Sequence, residues 1–389
     1  MLTIAVFFGG QSAEHDVSII TALTSVIMPL ELTNKYRVIP VYIAKDGRWF
    51  VSEDLKNIAV YQHGELKRLV SRMKTTGVIC ANGLKLLVPS RVGRKAISVD
   101  IAFPAMHGTH GEDGELTGIF EMAGVPYVGC GVAASAIAMD KMLAKQVVTA
   151  AGLATPRALY FDGESVRSNS AVLAKQCQQL TYPLFVKPAH LGSSIGISRV
   201  ADKKELVNAL EVAAHYDDKI VVEEAVPNLI EVTLPIMGPS SAPQPALLEQ
   251  PLTHAEDFFD FDTKYMHGGK KGKGGGKKMG IKGAQGYSKI PANLSKELYS
   301  KAEAAGVAAY KALGCDGIAR IDMLIDSKAK KVYFNEANPL PGSLYAHNWA
   351  QVGVSKIDLV EALVGYALDR HYKRSKLATT FDTNFLTQF

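Results

Sequence analysis

The chain has 389 residues, too many for one compact hydrophobic core, so two or three domains are expected. With 47% hydrophobic and 21% charged residues and no apolar run long enough to cross a bilayer, the composition argues against a disordered chain and against a membrane protein. The net charge is +5, but without the eight lysines between residues 264 and 291 it would be −3. Because the positive charge comes from one segment, the net charge does not indicate nucleic-acid binding.

The N-terminus and the cysteines indicate the compartment. The first six residues lack the basic segment and the cleavage site of a secretory signal, so we expect the protein in the cytoplasm. The cysteines show no metal-ligand spacing and lie far apart in the chain, at Cys80, Cys130, Cys177 and Cys315. We expect them to be reduced, mostly buried thiols rather than disulfides or a zinc site.

Strand and helix patterns alternate in the first part of the chain. Continuous apolar runs, typical of buried parallel strands, lie at residues 2–8, 38–43 and 100–104. The first run ends in Gly9 and Gly10, and residues 18–30 then carry apolar side chains at helical spacing. This alternation predicts an α/β domain with a mainly parallel sheet over residues 1–104.

The pattern of apolar residues changes near residue 138. We predict an α+β lobe over residues 105–225. A helix is expected at residues 140–151, with Gly152 as its stop signal. The further elements expected in this lobe are strands at 184–188, 197–200 and 219–222 and a helix at 203–214.

A second α+β lobe is predicted over residues 226–374. Its expected elements are helices at 296–313 and 357–372 and strands at 318–323 and 332–338. Residues 268–286 contain nine glycines and six lysines, a composition that cannot bury a core. We therefore expect a mobile loop over residues 266–290, and an irregular tail over residues 375–389.

The two strands near the C-terminus carry a polar face. If their turn centres near Lys328 to Lys330, Asp322 lies opposite Glu336 and Arg320 lies opposite Asn338. Two carboxylates and an amide oxygen suit Mg²⁺ bridging nucleotide phosphates, and the guanidinium would lie beside the same phosphates or a transition-state oxyanion. The alternative is a solvated hairpin with cross-strand ion pairs.

Two further segments could bind phosphate. Lys187 ends an apolar strand and precedes the turn with Gly192, Ser193 and Ser194, whose amides and hydroxyls can surround phosphate oxygens. Lys141 lies in the first turn of a helix capped by Asp140, where a nearby polyphosphate would offset the unfavourable helix dipole. The alternatives are a tight hairpin and solvated lysines.

Two turns follow strands of the first domain, where ligands bind in open α/β sheets. Glu14 could hold an ammonium group, or it could be an acid favoured by the dipole at a helix start. His107 is either a substrate contact or a loop histidine, and from the residues alone we favour the loop histidine.

Taken together, these motifs resemble the D-alanine–D-alanine ligases of the ATP-grasp superfamily. The matching blocks lie, in chain order, at residues 9–18, 107–114, 138–141, 186–194, 262–265, 314–322 and 335–338. Seven blocks in register over residues 1–372 make chance agreement very improbable.

The resemblance implies an ATP-grasp fold, in which the parallel α/β domain is joined to two α+β lobes that sandwich ATP. It implies an ATP-dependent ligase that joins two D-amino acids, with D-alanine as both, through an acyl phosphate for peptidoglycan precursor synthesis. The implied cofactors are ATP and Mg²⁺, with two ions expected and Mn²⁺ as an alternative. Amino acids are the expected substrates, a homodimer is the expected assembly, and no nucleic-acid or membrane partner is expected.

The resemblance also implies roles for individual residues. Catalytic roles fall to Glu14, Ser193, Tyr265 and Arg320. Nucleotide contacts fall to Lys141, Lys187, Ser193, Ser194, Glu223, Glu224, Val226 and Glu231. Metal contacts fall to Asp322, Glu336 and Asn338. The candidate substrate contacts are His107, Lys264, Gly342, Ser343 and His347.

The sequence departs from the family in two places. The closing loop is enlarged and strongly basic, and it could either recruit an anionic acceptor or be a solvated insertion. The segment after Asn338 is a few residues shorter than the family's acceptor loop, and Ser343 or His347 could supply the missing contact to the acceptor carboxylate. Two alternatives therefore stay open: a ligase with another acceptor (amino acid, hydroxy acid or peptide) and a non-catalytic nucleotide-binding scaffold.

Overall fold

The computed structural model describes residues 1–252, 288–380 and 382–389. Its strands are β1 (Leu2–Gly9), β2 (Tyr36–Ile43), β3 (Trp49–Val51), β4 (Gly77–Ile79), β5 (Leu84–Pro89), β6 (Arg94–Val99), β7 (Ile101–Pro104), β8 (Ala158–Asp162), β9 (Leu184–Pro188), β10 (Ser198–Val200), β11 (Lys219–Glu224), β12 (Leu229–Met237), β13 (Gln244–Pro245), β14 (Gln250–Pro251), β15 (Ser288–Lys289), β16 (Ile318–Asp326) and β17 (Lys331–Asn338). Its helices are α1 (His15–Leu32), α2 (Glu65–Arg72), α3 (Glu115–Ala123), α4 (Val132–Met139), α5 (Lys141–Ala150), α6 (Gly163–Gln176), α7 (Lys203–Tyr216), α8 (Lys296–Ala312), α9 (Ala346–Gln351) and α10 (Lys356–Ser375).

The N-terminal sheet has the order β3-β2-β1-β7, and β1 pairs in parallel with both β2 and β7. Its central strand is apolar on both faces because helices and the small sheet β4-β5-β6 cover them. The helix α1 packs on one face and has a π-helical middle, Ala22–Ile27. The predicted parallel α/β architecture is confirmed.

Among the described residues, one helix is long and apolar enough to pass a test for a membrane span. It is α1, and 61% of its apolar window is buried inside the fold. A buried core helix passes the same test, so this result is weak evidence for a membrane span.

Two antiparallel sheets form the rest of the core. The sheet β10-β9-β11-β8 is covered by α6 and α7, and the sheet β13-β12-β16-β17 is covered by α5 and α8. The C-terminal helix α10 instead shares a hydrophobic cluster with β1 and α1. The last helices therefore pack against the first domain, which brings the acceptor segment next to α1.

Several expectations need correction. The sheet β4-β5-β6 was not predicted, because its strands are partly exposed and lack a continuous apolar run. Most of the predicted loop over 266–290 lies outside the described residues, but its last part begins with β15, which pairs with β14. The tail starts with the last residue of α10 and includes a 3₁₀ turn, Phe385–Gln388. The three domain boundaries stay predictions.

Three of the four cysteines are buried, as expected. All four are free thiols, and Cys80 alone among them is exposed.

Candidate active site

The hairpin of β16 and β17 has the predicted register. Asp322 lies opposite Glu336 and Arg320 lies opposite Asn338, while on the other side of β16 the neighbour of Asp322 is Thr233. The alternate side chains of β16 are buried in the hydrophobic core beneath. One face of this sheet therefore presents two carboxylates, an amide and a guanidinium.

A β-bulge lies directly beside this polar face. The register shifts between Asp322 and Met323, so Asn335 of β17 has no direct partner across the hairpin. The bulge lets Glu336 point to the polar face while Phe334, two residues earlier, is buried in the core. The side-chain oxygen of Asn335 lies 3.5 Å from Lys187 Nζ.

Two lysines of the central lobe face the acidic hairpin. Lys141 Nζ donates a hydrogen bond to the carbonyl of Leu191 at 2.6 Å and lies 3.5 Å from Glu336 Oε2. Lys187 approaches β17 through Asn335, as described above. The structure thus brings both predicted phosphate-binding lysines to the predicted metal-binding strands.

Arg320 is held in place by its neighbours. Its Nε donates to Asp322 Oδ1 at 2.7 Å, and its terminal nitrogen donates to Asp322 Oδ2 at 2.5 Å. The guanidinium carbon also lies 5.3 Å from the centre of the Tyr345 ring. Because the fork geometry and the ring fix its orientation, Arg320 can act as a preorganised donor to a developing negative charge.

Glu223, a predicted nucleotide contact, lies buried between two lysines. Its carboxylate is 1% exposed, and it forms ion pairs with Lys187 and, at 2.9 Å, with Lys145 Nζ. The side chain is therefore a buried counter-ion of two lysines, and its role as a nucleotide contact stays a prediction. Burial raises the pKa of Glu223, but the charges of Lys145 and Lys187 outweigh it and lower the value to about 2.

Glu14 and Ser193 meet across the domain boundary. The hydroxyl of Ser193 donates to Glu14 Oε1, although the two residues are far apart in sequence. Glu14 follows the turn at Gly9, where φ is +91° and a Cβ atom would collide with the carbonyl of Ile43, so glycine is required there. Tyr265 and Lys264, predicted as partners in this region, lie outside the described residues.

His107 lies in the loop after β7 and is buried there. It is 2% exposed, its Nε2 lies 2.8 Å from Thr21 Oγ1, and its Nδ1 lies 3.5 Å from Glu112 Oε1. Burial lowers the pKa of His107, but the hydrogen bond to Glu112 and its charge outweigh this, so the net direction is upward. His107 is thus a fixed part of the wall behind Glu14.

The acceptor segment has an unusual backbone. Ser343, Leu344 and Tyr345 are consecutive non-glycine residues with φ near +52°, in the left-handed region. This conformation costs about 1–2 kcal/mol per residue, so the surroundings must hold it. The backbone N–H of Ser343 donates to Thr21 Oγ1 at 2.9 Å, and Leu344 is fully buried.

His347 is tied to the base of the predicted closing loop. Its Nε2 lies 2.9 Å from Oε2 of the buried Glu249, and its ring centre lies 4.8 Å from that of Tyr345. Glu249 directly precedes β14, which leads to the segment outside the described residues. The ring of Tyr345 therefore lies between Arg320 on one side and His347 on the other, and Gly342 lies at the start of the turn.

The remaining predicted nucleotide contacts lie around this centre. Glu231 is on the same strand face as Thr233, and Ser194 follows Ser193 in a turn where both have positive φ. Glu224 accepts a hydrogen bond from the backbone of Thr181 at 2.9 Å, and Val226 is half-buried in the segment after β11. None of these contacts tests nucleotide binding, so their roles stay predictions.

Sequence reasoning missed several residues of this site. Lys145 could have been found, since it lies four residues after Lys141 on the same helix face at an otherwise apolar position. Thr21, Glu112 and Tyr345 gave no local signal, because their importance arises from contacts between distant segments. The same holds for Asn335, whose direction depends on the bulge.

Comparison with known families agrees with this geometry. Residues 3–130 match the family model described as D-ala D-ala ligase N-terminus, and residues 147–365 match that described as D-ala D-ala ligase C-terminus. A D-alanine–D-alanine ligase of Chlorobium phaeovibrioides is 36% identical over 377 residues, covering 95% of this chain and 97% of the relative. One of Acetivibrio thermocellus is 35% identical and covers 95% of this chain and 96% of the relative.

Solved structures agree as well. The VanG D-Ala:D-Ser ligase from Enterococcus faecalis is 31% identical with a TM-score of 0.74, covering 94% of this chain and 99% of that one. The D-alanine–D-alanine ligase from Coxiella burnetii is 27% identical with a TM-score of 0.75, covering 96% of each chain. Both family models and the curated relatives span nearly the whole sequence, and the chain belongs to the D-alanine–D-alanine ligase family, whose members are ATP-dependent ligases of the ATP-grasp fold.

Proposed function

We propose that this chain joins two molecules of D-alanine to D-alanyl-D-alanine, with ATP converted to ADP and phosphate, for peptidoglycan precursor synthesis. The observation that carries the proposal is the approach of two lysines of one lobe to the polar hairpin of the other. Lys141 Nζ lies 3.5 Å from Glu336 Oε2, and Lys187 Nζ lies 3.5 Å from the side-chain oxygen of Asn335. Cations facing carboxylates across a cleft can hold a polyphosphate and its metal together.

The residues present fit Mg²⁺. Asp322, Glu336 and Asn338 supply only oxygen donors, which Mg²⁺ prefers, and their side chains lie on one strand face. Of the two neighbouring cations, Lys141 would turn from Glu336 to the phosphates, whereas Arg320 would keep its orientation beside Asp322. When bound, the metal would neutralise charge on the phosphates; we propose two ions, with Mn²⁺ able to replace Mg²⁺.

The chain's own residues would act in two steps. Glu14, oriented by Ser193, would hold the ammonium group of the first D-alanine. The carboxylate of that D-alanine would then attack the terminal phosphate of ATP, forming an acyl phosphate and ADP. The amine of the second D-alanine then attacks the acyl carbon and phosphate leaves. Arg320 would stabilise the negative charge of that tetrahedral intermediate.

The acceptor site is proposed at the left-handed turn. Ser343 and His347 are the candidate contacts for the carboxylate of the second D-alanine, beside Arg320 and the ring of Tyr345. The name of the Enterococcus faecalis relative gives D-serine as its second substrate. D-serine is therefore the most informative competitor to test against D-alanine.

Ser193→Ala should raise the KM for D-alanine at the donor site by about tenfold, because a hydrogen bond to a charged group contributes about 1.5–3 kcal/mol. The measurement is initial-rate kinetics of ADP release with D-alanine varied at saturating ATP. An unchanged D-alanine KM would reject the role of Ser193 in orienting Glu14.

The test of the proposed function is ADP release with D-alanine, D-serine, their L-enantiomers and D-lactate, singly and in pairs, with Mg²⁺ present or chelated. We expect release that requires both D-alanine and Mg²⁺, and mass spectrometry should identify the dipeptide. Turnover only with other pairs would overturn the D-alanine assignment.

Two finer proposals concern assembly and location. We propose a homodimer, as is common in this family, which sedimentation analysis of the purified chain would test. We also propose a cytoplasmic enzyme, because ATP and reduced thiols are both maintained there. Fractionation of cells that express the tagged chain would test the location.

A further inference from the structure

The segment directly after β9 is hydrogen-bonded to the start of helix α5. The carbonyl of Ala189 accepts from the backbone N–H of Lys141 at 3.1 Å, and the carbonyl of Leu191 accepts from Lys141 Nζ at 2.6 Å. His190 lies between them in sequence. Lys141 is therefore bound at both its backbone and its side chain to residues that flank His190.

The imidazole of His190 bridges two carboxylates. Its Nδ1 lies 2.8 Å from Asp217 Oδ1, and its backbone N–H donates to Asp217 Oδ2 at 2.7 Å. Its Nε2 lies 3.4 Å from Asp140 Oδ2, and Asp140 is the N-cap of α5, accepting from the backbone of Met142 at 2.9 Å. One ring thus joins the phosphate-binding turn to the cap of the helix that carries Lys141.

We propose that His190 is a positioning residue for ATP: it holds the N-terminus of α5 against the turn after β9, so that Lys141 meets the phosphates. This deepens the proposed function, on which it rests in taking Lys141 to be a phosphate contact. A misplacement of about 1 Å at a reacting group can reduce rate on the order of a hundredfold. The carboxylates paired with the ring are Asp140, Asp217 and Asp218, none of which is proposed to hold an amino acid.

The charges around the ring favour its protonated form. Asp140 on the α5 side and Asp217 and Asp218 before β11 face it, and Asp140 is also paired with Lys219. The hydrogen bonds to Asp140 and Asp217 raise the pKa of His190 to about 9, although burial opposes this. Because the folded value is raised, the charged bridge is complete at neutral pH and is lost as pH rises through about 9.

The test compares His190→Ala, His190→Arg and a control, His215→Ala, which removes an exposed histidine at the end of α7. We expect His190→Ala to raise the KM for ATP and the Kd for ADP with Mg²⁺, the latter from calorimetry, by on the order of tenfold or more. The KM for D-alanine should change little. His190→Arg keeps a cation between the carboxylates and should restore most of the affinity, and His215→Ala should match the wild type.

Two further outcomes decide the matter. In the wild type the Kd for the nucleotide should rise as pH passes about 9, and in His190→Arg this rise should be absent. A lower melting temperature of His190→Ala with an unchanged nucleotide Kd would overturn the proposal, because it would mean a purely structural bridge. Calorimetry needs no turnover, so failure of the D-alanine assignment would leave this result readable.

Discussion

Glu336→Gln is expected to lower the rate of Mg²⁺-dependent ADP release by more than about a hundredfold while the chain stays folded. Even the outer partners of metal ligands contribute roughly ten- to a hundredfold, and Glu336 is proposed as a direct ligand. Glutamine keeps the size of the side chain and one oxygen but removes the charge. The side chain is partly exposed, and its nearby cation Lys141 keeps the carbonyl of Leu191, so stability should change little.

The measurement is kcat and the Mg²⁺ concentration for half-maximal activity, with circular dichroism to confirm the fold. Glu211→Gln is the matched control, since it removes the same charge from an exposed position on α7. Wild-type activity of Glu336→Gln at low Mg²⁺ would show that the acidic strand face is not the metal site. The proposed function would then lose its main structural support.

The polar face of β16 and β17 could be predicted because it depends on local rules. Side chains alternate along a strand, and a turn centred near residue 329 predicts Asp322 opposite Glu336. The hairpin closes with Asp326 opposite Lys331, a register that without the bulge would place Asp322 opposite Asn335, so the bulge brings Glu336 to Asp322. The bulge at Asn335 could not be predicted from that alternation. It depends on the packing of Phe334 into the core below, which is a tertiary contact.

The left-handed turn at Ser343 to Tyr345 was beyond sequence reasoning for a related reason. None of its residues favours positive φ, so propensity alone predicts another conformation. The turn exists because Thr21 holds its first N–H and the core accepts Leu344. Contacts between the first domain and the last lobe decide it, and such contacts leave no local pattern.

The second large expected effect is a loss of stability when Glu223, the shared partner of two buried lysines, loses its charge. Glu223→Gln should lower the free energy of unfolding by about 3–5 kcal/mol, because it leaves Lys145 and Lys187 buried without their shared counter-charge. Lys145→Met should be far milder, since it leaves one lysine with one carboxylate and removes a cation whose pKa is already lowered by burial. Urea unfolding at pH 7 measures both variants.

The pH dependence separates this explanation from a simple packing defect. The pKa of Glu223 is lowered to about 2, so its stabilising contribution is complete above about 4.5 and is lost as pH falls from there toward 2. The difference between the ordinary and the folded pKa of Glu223 corresponds to about 3 kcal/mol of folding free energy. The unfavourable burial of Lys145 reduces the net contribution of the cluster to stability. Glu223→Gln should flatten the acid limb of the stability curve. Lys145→Met should weaken that limb only in part, because Lys187 still lowers the pKa of Glu223. Equal losses of stability in the two variants, with both acid limbs unchanged, would mean that the cluster is held by packing alone and that the charge of Glu223 does not stabilise it.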